Sequence, residues 1–264
     1  PQCPKTAEVI ADMFKEVGVP EGVYNNIFAT NEQAATIIHD KRVQGISLTG
    51  SERAGQAVAK EAGGALKKVV LELGGSDAFI VAADADIKQA IKGAISGRFG
   101  NAGQACNAAK RLIVLESVYD KFVEGFTDAV RGMTLANPLD EKTFIGPMSS
   151  KAAAVNLQAQ LDSAVEAGAT VLVEGGLVKD KPGAWFKPAV LTDVTESMDV
   201  YREELFGPVA VVYKARDVDH AIKIANDVPF GLGASIQTQD AALAADMADK
   251  LEVGMVTINA PSGT

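Results

Sequence analysis

An α/β fold built on mainly parallel sheets is what this sequence predicts, and three observations predict it. Short β-branched or apolar runs alternate along the chain with segments of helical periodicity. The chain has 264 residues, enough for one large domain or two smaller ones. Hydrophobic residues make up 47% and charged residues 22%, the balance of a globular protein, with no repeat or low-complexity tract.

The elements follow in order. "PQCPKTAEVIADMFKEVG" enters a helix almost at once, with Val9, Ile10, Met13, Phe14 and Val17 on its apolar stripe. "NEQAATIIHD" is a second helix. "QGISLTG" is a strand that opens directly into the helix "SERAGQAVAKEAGG". "KKVVLEL" is a strand that ends at Gly74-Gly75, where the flexible pair marks a domain boundary. "DAFIVA" is the next strand. In the helix "IKQAIKGAISGRF", Asp86 is the N-cap and Gln89, three residues on, completes a capping box. Its apolar face carries Ile87, Ala90, Ile91, Ala94, Ile95 and Phe99. Gly97, Gly100 and Gly103 weaken it, so it ends before Cys106. The strand "KRLIVLE", the helices "SVYDKFVEGFTDAVRGM" and "KAAAVNLQAQLDSAVEAGA", and the strands "TVLVEGG" and "PVAVVYK" come next. The helix "VDHAIKIANDV", the strand "LGASIQT", the helix "DAALAADMADKL" and the strand "GMVTINA" close the chain.

Composition narrows the function. The net charge is −9 with no long basic run, which argues against nucleic acid and anionic membrane surfaces as partners. No apolar run reaches membrane-spanning length and no secretory signal opens the chain. Two cysteines without a disulfide framework fit a reducing, cytoplasmic setting. The two histidines and two cysteines lie far apart, so a structural zinc site is not expected. His39 and His220 read as surface side chains, and the acidic residues of "AADAD" and "DAALAADMADK" as caps and solvated faces.

Four stretches carry chemistry, and each has two readings. In "KKVVLELGG", Glu72 interrupts an apolar run. It is either a general base, its acidity shifted by burial, or a water-facing residue on an edge strand. In "FGNAGQACNAAKR", Cys106 lies on a glycine-punctuated connection. It is either a nucleophile whose thiolate is held by backbone N–H groups, or a small buried hydrophobe. "LTGSERAG" places Gly50 and Ser51 at a helix N-terminus, which either holds a phosphate or is an ordinary strand-to-helix turn. "EELFGPV" sets Glu204 near Phe206 in a Gly-Pro turn. It is either a clamp for a ribose and a flat ring, or surface structure.

Taken together, "LTGS", "LELGG", "NAGQAC" and "EELFGP", in that order and at those intervals, resemble the aldehyde dehydrogenase superfamily. The likeness covers essentially the whole chain, while the chain covers roughly half of the usual family protein. The resemblance implies an aldehyde dehydrogenase-like fold. Residues 1–73 would be the second half of a Rossmann-type NAD(P)-binding domain, and residues 74–258 the catalytic domain. Residues 259–264 would begin a C-terminal oligomerisation segment. The chain is therefore expected to be a piece of a longer protein, without the upstream asparagine of the oxyanion hole and the lysine that holds the adenosine ribose.

The same resemblance implies the roles. Cys106 is the nucleophile and Glu72 activates the water that hydrolyses a thioester. Gly50 and Ser51 lie against the pyrophosphate, and Leu73 and Gly74 line the nicotinamide side. Glu204 holds the nicotinamide ribose and Phe206 packs near the nicotinamide. The cofactor is NAD or NADP, with a slight lean to NADP because Pro1 or Gln2 supplies no carboxylate at the discriminating place. The glutamate favours hydrolysis to a free acid over transfer to coenzyme A. "LELGGSDAFIV" and "GQACNAAKR" resemble the succinate-semialdehyde branch, with a small aldehyde as substrate and a dimeric or tetrameric homo-oligomer as the full form. The arginine that many of that branch carry six residues before the cysteine is Gly100 here, with Arg98 two residues earlier. Ser262 is a candidate for the substrate carboxylate. Ala108 stands where some relatives have a second, redox-active cysteine. A coenzyme A-acylating relative and an inactive fragment or assembly unit are the alternative readings.

Overall fold

A computed structural model describes residues 3–261. The chain divides into two compact units, Pro1–Leu73 and Gly74–Thr264.

The first unit runs α1 (Pro4–Glu16), α2 (Asn31–His39), β1 (Gly45–Thr49), α3 (Glu52–Gly64) and β2 (Lys68–Glu72). α2 starts with a full capping box between Thr30 and Gln33. β1 and β2 pair in parallel from Gly45↔Lys68 to Thr49↔Glu72. Gly55 on α3 lies so near Leu73 that a Cβ there would meet the leucine Cδ2 at 2.6 Å.

The second unit opens with β3 (Ala78–Val81), α4 (Ile87–Phe99), β4 (Arg111–Leu115), α5 (Glu116–Arg131) and α6 (Lys151–Glu166). It continues with β5 (Thr170–Val173), β6 (Gly176–Leu177), β7 (Phe186–Lys187), β8 (Ala189–Thr192) and β9 (Val209–Ala215). It ends with α7 (Val218–Asn226), β10 (Gly233–Gln237), α8 (Ala241–Lys250) and β11 (Met255–Ile258). Seven strands form one sheet in the order β11-β10-β3-β4-β9-β8-β5. All its pairings are parallel except β5 with β8.

Both faces of this sheet are buried, and the period-2 alternation of strands sorts the side chains. Ala78 and Ile80, Ile113 and Leu115, and Val209, Val211 and Tyr213 face one core with residues of α6, α7 and α8. Phe79 and Val81, Leu112 and Val114, and Ala210 and Val212 face the other with α4 and α5. Phe122 and Phe126 stack there at 5.6 Å between centroids. No helix among the described residues is long and apolar enough to cross a membrane.

Two expectations change. Asp86 does cap α4, accepting from the N–H groups of Lys88 and Gln89, but the reciprocal arm of a capping box is absent. Gln89 Nε2 instead donates to the Asn259 carbonyl at 3.0 Å, a long-range partner that local spacing does not reveal. The strands β6, β7 and β8 were not marked by the periodicity of the sequence. β8 is a buried Ala-Val-Leu-Thr run between Pro188 and Asp193, and those flanking turn residues are the signal that marks it.

Candidate active site

Cys106 sits on the connection from α4 to β4, and backbone conformation shapes that connection. After α4 a short 3-10 turn spans Gly100–Gly103, with φ of 53° at Asn101, 54° at Ala102 and 71° at Gly103. Three left-handed residues in succession reverse the chain, and the buried Ala102 is strained there. At Gly103 a Cβ would lie 2.5 Å from the Gly207 carbonyl oxygen, so only glycine fits. Gln104 ties the loop outward, its Oε1 accepting from the Ser149 N–H at 2.8 Å.

Arg98, in the last turn of α4, is fully buried and meets no carboxylate among the described residues. Its guanidinium donates to the carbonyls of Val209 and Leu205, each at 2.8 Å, and to those of Gly207 and Gly103. Burial pushes its pKa down, and the charge of Glu204 opposes that shift. Its donors are spent on backbone, so Arg98 does not replace the arginine absent at Gly100 as a holder of substrate carboxylate.

Cys106 is a free, partly exposed thiol. Its N–H donates no hydrogen bond among the described residues. Its carbonyl oxygen, and that of Ala105, accept from Lys110 Nζ at 2.8 and 2.7 Å. The same ammonium lies 3.2 Å from Glu204 Oε1. Glu204 Oε1 also accepts from the Gly75 N–H at 3.1 Å, while Oε2 makes no hydrogen bond among the described residues. Gly74 and Gly75 pack close beneath these groups. A Cβ at Gly74 would strike Glu204, and one at Gly75 would lie 2.5 Å from the Cys106 carbonyl oxygen. The Phe206 ring is 42% exposed, with Lys110 Nζ 5.9 Å from its centroid. Burial, reinforced by the positive Arg98, lowers the pKa of Lys110 to about 8, against the pull of Glu204.

In the second unit the fold therefore joins Cys106, Gly74, Glu204 and Phe206 into one cluster. In the first unit, Gly50, Ser51, Glu72 and Leu73 gather where β1 gives way to α3. The Gly50 N–H donates to the Glu72 carbonyl at 3.0 Å. Ser51 caps α3 by accepting from the Ala54 N–H at 3.3 Å. Glu72 ends β2 and is exposed. Ser262, with Pro1 and Gln2, lies outside the described residues.

His39 and His220 make ordinary surface contacts. His39 Nε2 meets Glu61 at 2.8 Å, and His220 Nδ1 accepts from the Arg216 N–H at 3.2 Å. No cluster of metal-ligating side chains is found among the described residues.

Sequence reasoning missed Lys110 and Arg111. Arg111 opens β4 fully sheathed, donating to the carbonyls of Ser76, Ile224 and Ala225. Two cations heading an otherwise apolar strand were the signal, since a buried charge needs partners.

The aldehyde dehydrogenase family model matches residues 1–264. A succinate-semialdehyde dehydrogenase [NADP(+)] of Deinococcus radiodurans is 48% identical over 262 residues, covering 99% of this chain and 55% of the relative. A succinate semialdehyde dehydrogenase [NAD(P)+] of Escherichia coli is 44% identical over 253 residues, covering 96% of this chain and 54% of the relative. The crystal structure of succinic semialdehyde dehydrogenase from Streptococcus pyogenes in complex with NADP+ superposes with a TM-score of 0.96 at 39% identity. That match covers 99% of this chain and 57% of the other. The chain spans about half the length of the curated relatives it matches.

Proposed function

The chain belongs to the aldehyde dehydrogenase family, and on that premise we propose that it serves an NAD(P)-dependent oxidation of a semialdehyde, succinate semialdehyde foremost, to the carboxylic acid. The relatives' names support the substrate and the cofactor, with NADP named in both the Deinococcus enzyme and the Streptococcus complex.

Each unit by itself carries a group of the kind a dinucleotide uses. The N-terminus of α3, capped by Ser51, offers backbone N–H groups to a pyrophosphate. Glu204 Oε2 offers a carboxylate oxygen to ribose hydroxyls. The bound cofactor supplies the hydride acceptor.

The remaining steps belong to this chain's residues. The Cys106 thiolate attacks the aldehyde carbon, forming a carbon–sulfur bond and an oxyanion. The Cys106 N–H, which donates to nothing else described, is placed by its own residue to stabilise that oxyanion. Loss of hydride from the adduct leaves a thioester. Glu72 takes a proton from the water that hydrolyses it and passes it to solvent, while the acid is released and the thiolate restored. A cytoplasmic dimer or tetramer, as the resemblance implies, goes with this reading.

The observation that carries the proposal is the free, partly exposed thiol of Cys106, whose own carbonyl accepts from the buried Lys110 ammonium. The experiment is aldehyde-dependent NAD(P)H formation by the natural full-length chain. Cys106→Ala is expected to lower turnover by about 10⁴-fold or more. Retention of full turnover by that variant would refute the mechanism.

A further inference from the structure

Resting on the dehydrogenase reading, we propose that Lys110 is the positioning residue of this site, a single buried ammonium that fixes the Cys106 loop and the Glu204 carboxylate to one another. An ammonium has three N–H donors. Here three acceptors surround it: the Ala105 carbonyl, the Cys106 carbonyl and Glu204 Oε1. The side chain is 1% exposed, so its stem is held by packing. Its backbone is anchored as well, because the Lys110 carbonyl accepts from the Val211 N–H at 3.2 Å at the head of the sheet. The cation thus projects from the residue that precedes β4 onto two loops.

Its partners need it. Gly75 gives Glu204 one N–H, but the carboxylate and the Cys106 carbonyl are otherwise two acceptors facing a common space. Without the ammonium they lose their shared donor, and a half-buried carboxylate is left with one hydrogen bond. The loop and the carboxylate would then be free to move apart. A thiol and a cofactor clamp held by one donor are coupled, and that coupling distinguishes positioning from mere packing.

The test uses the natural full-length chain with Lys110→Met, Lys110→Arg, Glu204→Gln and the Met/Gln double variant. Three readouts are taken without aldehyde. They are the NADP+ dissociation constant, the rate of Cys106 alkylation by iodoacetamide, and thermal unfolding. Lys110→Met is expected to weaken NADP+ binding about tenfold, the scale of a lost hydrogen bond to a charged group, and to slow alkylation severalfold. Lys110→Arg restores most of both. The double variant binds no more weakly than the worse single variant.

A pH profile adds a second handle. The charged groups facing Lys110 are Arg98 from α4, Glu204 from the segment before β9 and Asp77 from the segment before β3. Loss of a proton as the pH rises through about 8 removes the charge and one of the three donors, which weakens the link, so wild-type NADP+ affinity falls there. The arginine variant moves that fall to higher pH.

The proposal is overturned if folded Lys110→Met keeps both affinity and alkylation within twofold of wild type. It is also overturned if the arginine variant is equally impaired and the losses add to those of Glu204→Gln. Should Lys110→Met not fold, Glu204→Gln alone decides: a changed alkylation rate supports the link, and an unchanged one refutes it. Wild-type chain that binds no nicotinamide dinucleotide refutes the dehydrogenase reading instead, and alkylation still decides the link.

Discussion

Within this 264-residue chain the two units share the same α/β alternation, but they differ in how completely their apolar faces are covered. In the second, every residue of β3 and β4 is buried and helices lie on both faces of the sheet. In the first, the buried residues among those described are Ile38, Gly55 and Ala62. α1 buries nothing, although it carries Val9, Met13 and Phe14. β2 alternates between exposed and half-buried positions, and Val70 is 59% exposed. Parallel strands are normally sandwiched on both faces, and a two-stranded sheet alone is marginal. Hydrophobic period therefore predicts the type of an element, whereas stability depends on whether something covers its apolar side.

Amide hydrogen exchange on this 264-residue chain would break that comparison most directly. Core amides of β3, β4 and β9 are expected to exchange on the order of 10⁴-fold more slowly than those of β1 and β2, after correction for intrinsic rates. Equal protection in the two sheets would show that exposed apolar area does not govern local stability here.

Arg98→Met tests the covered unit from inside. The methionine fills part of the volume but removes the guanidinium donors from the Leu205, Gly207 and Val209 carbonyls, the first two of which keep a backbone N–H, from Gly207 and Val209. A loss of about 3–5 kcal/mol is expected in denaturant unfolding of the second unit, with exchange in β1 and β2 unchanged. A loss below about 1 kcal/mol would mean that water replaces the guanidinium at no great cost.

Arg98 also marks the limit of what the sequence discloses. Helical periodicity marks each helix of the fold, because an apolar stripe is a local property. The order of "LTGS", "LELGG", "NAGQAC" and "EELFGP" marks the candidate site, because its chemistry needs particular residue types. The buried cations are another matter. Arg98 and Arg111 bind mainly backbone carbonyls from segments distant in sequence, and a carbonyl has no residue identity to read; Lys110 takes the nearby Ala105 and Cys106 carbonyls and meets Glu204 only once the chain has folded. The Gln89 side chain was claimed by Asn259, a contact that exists only once the sheet has formed.

The smallest effect sharpens the comparison through a pair of glycines. At Gly103 an added Cβ meets the Gly207 carbonyl, which is backbone, and φ is 71°, so Gly103→Ala is expected to cost about 2–3 kcal/mol. At Gly55 the added Cβ meets the two methyl carbons of Leu73 at 2.6 and 2.9 Å, the far end of a flexible side chain. Alanine also favours the interior of α3 by about 0.5–1 kcal/mol over glycine. Rotation of Leu73 relieves the contact only if the surrounding packing yields, and in this loosely covered unit it should. Gly55→Ala is therefore expected to change stability by less than about 1 kcal/mol, read from the first unit's exchange rates. A loss as large as that of Gly103→Ala would show the α3–Leu73 contact to be as tightly packed as the core of the second unit, and exposure alone would no longer separate the two.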